Sequence, residues 1–109
     1  MGDALNAVES LYFAAQSSLN DMLAACQDDD QRDAIKTRYI ATRQNYWTCI
    51  NKTFHEDDPG LQSLESDAKT TCDAIKRIDD QLGDIAKVLK ILDQAVSVGS
   101  EIVKKIITL

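Results

Sequence analysis

Residues 61–106, LQSLESDAKTTCDAIKRIDDQLGDIAKVLKILDQAVSVGSEIVKKI, decide the fold. Leu61, Leu64, Ala68, Thr71, Ile75, Ile78, Leu82, Ile85, Leu89, Leu92, Val96, Gly99, Val103 and Ile106 recur there at alternating steps of three and four. That alternation keeps side chains on one face of an α-helix. Twelve of these fourteen positions are apolar, Thr71 and Gly99 being the exceptions, so six heptads in phase specify helix-on-helix packing. As one unbroken helix the stretch extends roughly 70 Å at 1.5 Å per residue. Gly83-Asp84 offers a break, with glycine ending one helix and aspartate capping the next. Two all-α architectures follow. One is an antiparallel up-and-down bundle of four helices, over residues 3–27, 31–55, 59–82 and 84–108. The other has three helices, the last a long coiled-coil helix over 60–108. The continuous phase favours the long helix, whereas four similar lengths of about 25 residues favour the bundle, which we expect.

The two halves of this stretch differ in charge. Residues 60–84 carry six acids and three bases, a net −3, while residues 85–109 carry two acids and four bases, a net +2. In the second half Val88, Ala95 and Ile102 form an extra apolar column beside the seam, closed by Leu109. A stripe this wide needs more covering surface than a narrow one. Either the preceding helices supply it, or another protein chain or a membrane surface does.

Upstream, Leu5, Val8, Tyr12, Ala15, Leu19, Met22 and Cys26 give a first helix the same three–four spacing. Phe13 falls off that stripe. Asp28-Asp29-Asp30 interrupts it, and the third aspartate is expected to cap the next helix, with Asp33 in its first turn. The triplet has neither the alternating spacing nor the glycine and distal glutamate of a calcium loop. The second helix carries two seams, Ile35, Tyr39, Thr42, Tyr46, Cys49 and Ile40, Arg43, Trp47, Ile50, Phe54, as suits a helix touching two neighbours. Helical spacing alone explains its aromatic residues as core with polar tips at the rim; the alternative is an aromatic binding surface. Asp58 as cap and Pro59 as first helical residue start the third helix.

Composition then removes several function classes. The chain of 109 residues has net charge −6 and a pI near 4.6, the wrong sign for a sequence-independent grip on nucleic acid. The start of the chain lacks a basic segment followed by an apolar run, and no apolar run is long enough to span a bilayer. Cys26, Cys49 and Cys72 are an odd, sparse set without a C-x-x-C pair, which fits buried thiols in a reducing, cytoplasmic setting. His55 stands among carboxylates, but no second histidine exists to complete a metal site. No nucleophile–base–acid set, G-x-S-x-G or phosphate loop occurs. The expectation is a non-enzymatic module without cofactor, metal or small-molecule substrate. It binds a protein partner or associates with itself through the broad face of the last helix, at Val88, Ile91, Ala95, Val98 and Ile102, with Phe13 as an exposed contact. The second expectation is a bundle that docks on or perturbs membranes through the basic amphipathic helix 85–109, with Lys87, Lys90, Lys104 and Lys105 flanking its stripe.

Overall fold

Where a buried apolar stripe demanded a partner, the chain supplies one from within. A computed structural model describes residues 3–50 and 58–106. It places four α-helices in sequence: α1 (Asp3–Ala25), α2 (Asp29–Ile50), α3 (Leu61–Lys76) and α4 (Ile85–Ile106). A short 3-10 turn, Ile78–Gln81, follows α3. The longest dimension is 43 Å, too short for an unbroken helix over residues 60–108.

The break falls where Gly83-Asp84 indicated it, but by a different route. α3 ends six residues before the expected position, and its last carbonyls are met by Arg77, whose N–H bonds to Asp73 and Ala74 oxygens. Ile75 near the end of α3 and Ile78 at the start of the 3-10 turn are both fully buried. The heptad phase therefore survives the break, because both helices face one core. Asp84 caps α4 by accepting the Lys87 N–H at 3.3 Å. Gly83 does not adopt the left-handed conformation of a helix-ending glycine, and a Cβ there meets nothing within 4 Å. Gly83→Ala is thus expected to raise stability by roughly 0.4–1 kcal/mol, by narrowing the unfolded ensemble. Urea unfolding followed by circular dichroism checks the sign.

Two other starts differ from expectation by a few residues. Asp28, rather than Asp30, caps α2, accepting the Gln31 N–H at 2.8 Å. The Gln31 side chain returns a bond to the Gln27 N–H at 2.8 Å, closing a reciprocal cap that the acidic triplet alone does not announce. At α3, Asp58 accepts the Gly60 N–H at 2.7 Å, so Pro59 and Gly60 form the turn that enters the helix and Leu61 begins it. The expected ends of the second and last helices, residues 55 and 108, lie outside the described residues.

Around the core, α1 and α4 each pack against both α2 and α3 and also meet across the centre, while α2 and α3 do not touch. The helices alternate in direction. One core layer joins Ala4, Val8 and Leu11 of α1 with Cys49, Leu61, Ala68 and the α4 residues Ala95, Ile102 and Ile106. The other joins Ala15, Met22 and Cys26 with Ile35, Ile78, Val88 and Leu92. α2 and α3 occupy the two outlying corners of this rhombus. Each has two neighbours and an outer face that no other helix reaches.

Candidate functional site

The placement of α2 separates its two seams. Ile35, Thr42 and Cys49 are buried, with Tyr39 and Tyr46 partly so. On the α1 side, Tyr12 packs on Tyr39 with ring centroids 5.8 Å apart and on Tyr46 at 5.5 Å. Phe13 closes over the outer edge of this cluster, 5.8 Å from the Tyr46 ring. Burial and the hydroxyl of Tyr12 push the Tyr39 phenol above its ordinary pKa. Tyr46 is also pushed up, first by its hydrogen bond to the Glu9 carboxylate, which favours the neutral phenol.

On the α4 side the contacts are polar. Arg38 pairs with Asp93 at 2.7 Å, and the Asn45 amide donates to the Val96 carbonyl at 3.3 Å. Ser100 donates to the Asn45 carbonyl oxygen at 3.5 Å, and buried Gly99 lets the amide lie flat against the α4 backbone. Both flanks of α2 are thereby served without its second seam. Ile40, Trp47 and Ile50 remain 47%, 47% and 43% exposed, and with Phe13 at 44% they are the exposed large apolar side chains among the described residues. Between Ile40 and Trp47 stands Arg43, exposed, with its guanidinium 5.7 Å from the centre of the Trp47 ring. The fifth member of this seam, Phe54, lies outside the described residues.

This corrects the reading of the α2 aromatic residues as core. Tyr39 and Tyr46 do pack inward, but Trp47 faces outward with two isoleucines on the same side of the helix. The sequence singled out this seam and matched it to a second neighbour. That neighbour, α4, is present, but α2 meets it through Arg38 and Asn45 and not through this seam.

The face expected to meet a partner on α4 lies largely inside the chain. Val88, Ala95 and Ile102 are fully buried, and Ile91 and Val98 are half-buried against the core. α1, α2 and α3 cover the broad stripe, so neither a partner chain nor a membrane reaches those three side chains while the bundle is closed. Phe13 is exposed as expected, and it adjoins the α2 surface across Tyr46.

Elsewhere the chemistry is sparse. A shallow cleft of about 270 Å³ runs between α1 and α3, with Asp3, Ser10, Glu65, Lys69 and Lys76 among its walls. Among the described residues, no group of three potential metal ligands comes together, and no helix is long and apolar enough to cross a membrane. His55 lies outside those residues. Cys26, Cys49 and Cys72 are free, buried thiols, all pushed above the ordinary thiol pKa by desolvation, Cys49 to about 11. A raised thiol pKa leaves little thiolate at neutral pH, so alkylation of Cys49 is expected to proceed only as fast as the bundle opens. The linked stability term for Cys49 is present below pH 9.0, where both folded and unfolded thiols are protonated, and is lost as pH rises towards about 11. Rates of iodoacetamide modification across that window, with mass mapping of the labelled peptide, test both statements.

Comparison with protein-family models, with curated proteins and with solved structures yields no match to this chain.

Proposed function

We propose that this protein is a helical interaction module that docks a helix of another protein chain on the outer face of α2. One observation carries the reading. The large apolar side chains of α4, and those of α1 apart from Phe13, are buried or half-buried, yet Ile40, Trp47 and Ile50 stand together in the open, with Arg43 among them. Single exposed apolar residues are ordinary; three on one helical face, bracketing an arginine, are the makings of a contact surface. Tryptophan, tyrosine and arginine are the residues on which binding energy concentrates, since each combines a large contact area with a directional polar group. A helix laid along this face reads it at the i, i+3, i+7, i+10 positions, which is helix-on-helix recognition.

Trp47 is the single tryptophan of the chain, so its fluorescence reports this surface directly. The test selects binders to the intact protein from a library of helical peptides and titrates them against it. Supporting peptides shift the Trp47 emission to the blue and lose at least tenfold in affinity against Ile40→Asp. Binders that leave Trp47 emission unchanged and tolerate Ile40→Asp, or the absence of any binder, overturn the reading.

A further inference from the structure

We infer that the helix recognised by this face is α2 of a second copy of the chain, in antiparallel pairing across a two-fold axis at position 45. This rests on the docking role of the α2 face proposed above. The argument is the order of residues along the seam. Ile40, Arg43, Trp47 and Ile50 follow steps of three, four and three, a spacing that reads the same in both directions. When two such helices run antiparallel about their midpoint, Ile40 of each copy lies opposite Ile50 of the other, and Arg43 lies opposite Trp47. Isoleucine meets isoleucine, and each guanidinium meets an indole, the best aromatic face for a cation. Arg43 already rests 5.7 Å from the Trp47 ring of its own helix, so it is positioned to sit between two indoles.

Charge selects the same arrangement. Arg43 is the only charged residue from position 40 to position 50. A parallel, in-register pair sets Arg43 against Arg43, two like charges face to face, whereas the antiparallel pair places an aromatic ring opposite each. Such a surface is self-complementary, the property a closed two-fold dimer requires, and closure at two copies leaves no seam for a third. Phe13, beside Tyr46, extends the rim of the patch on the α1 side.

The dimer is weak by construction. Four half-exposed side chains per copy bury less than the roughly 1,000 Å² expected of a stable interface, so the pair forms only at high concentration. Each copy also carries −6, so the copies repel at long range and added salt strengthens the pair by screening. An acidic helix bound over Lys36 and Arg43 shows the opposite salt dependence.

Sedimentation equilibrium of the intact protein decides the matter, from about 20 µM to about 1 mM and at low and high salt. The weight-average mass is expected to climb from monomer towards dimer and stop there, and to climb further at high salt. Trp47→Arg sets arginine against arginine and lowers self-association at least tenfold while helicity, read by circular dichroism, stays unchanged. Arg43→Trp is its complement. Amino-terminally labelled Trp47→Arg protein is expected to regain the dimer mass when mixed with unlabelled Arg43→Trp protein, since every indole then faces a guanidinium again. A wild type monomeric at about 1 mM, a Trp47→Arg variant that dimerises unimpaired, or a mixture without rescue overturns the inference. If the wild type stays monomeric while selected peptides still shift Trp47 emission, the face docks other chains and only the second copy falls. If both measurements are negative, the docking role falls with it.

Discussion

Ile102→Asp is expected to abolish folding, while Ile40→Asp leaves the bundle intact. Both substitutions place a carboxylate on an apolar helix position, and both positions belong to three–four seams. Ile102 is fully buried in the apolar layer shared with Ala4, Cys49, Leu61 and Ile106. Removing the isoleucine costs lost transfer energy and a cavity, roughly 2–5 kcal/mol, and the unpaired carboxylate adds several more. That sum exceeds much of the about 5–15 kcal/mol by which a small domain is stable. Ile40 is nearly half exposed, so aspartate there stays hydrated and is expected to change stability by no more than about 0.5 kcal/mol. Far-ultraviolet circular dichroism at 25 °C separates the pair. A helical, cooperatively melting Ile102→Asp protein shows that α4 does not form the core described above.

The next largest effect is expected at Gly99. A Cβ added to it comes within 2.8 Å of the Asn45 amide nitrogen, closer than atoms tolerate. Gly99→Leu forces α2 and α4 apart and is expected to cost about 3 kcal/mol, at the upper end of core overpacking. Gly99→Ala is the more informative change, because two terms oppose each other. Alanine is favoured over glycine in a helix by about 1 kcal/mol, yet it displaces Asn45 and endangers the bonds to Val96 and Ser100. We expect net destabilisation by about 1 kcal/mol in the wild type and a change of sign in an Asn45→Ala background, where nothing remains to displace. Urea denaturation of the four proteins completes the cycle. Additive effects show that the glycine and the amide do not interact.

These two sites also indicate what periodicity transmits. The stripe of α1 was legible because each of its members needed only to share a face. Gly99 was legible as an exception to an apolar seam, but its reason, a side-chain amide from another helix, depends on which helices become neighbours. The same limit governs the surface. The spacing of Ile40, Arg43, Trp47 and Ile50 identified a seam, and two seams were matched to two neighbours. α2 does have two neighbours, but it meets α4 through Arg38 and Asn45, polar residues that an apolar pattern passes over. Conversely, the wide stripe of α4 signalled a need for cover without naming its source. Position in the rhombus decides both cases: α4 meets all three other helices, and α2 meets two. The cap of α2 was misplaced for a more local reason, although that of α4, Asp84, was read correctly. Any of three consecutive aspartates satisfies the rule for a helix start, and the Gln31 side chain, reaching back to Gln27, selects the first.

The absence of contact between α2 and α3 bears on how the chain is divided. Consecutive helices α1 and α2 form one hairpin, α3 and α4 form another, and every contact between the hairpins joins helices that are not consecutive. Although consecutive, α2 and α3 are therefore joined by the chain and not by packing against each other. In assembly terms, the core is an intramolecular heterodimer of hairpins. Cutting the chain between α2 and α3 raises the entropic cost of association but leaves the contacts of α1 and α2 with α3 and α4 to be made, so two fragments mixed in trans are expected to reconstitute the bundle in a concentration-dependent manner.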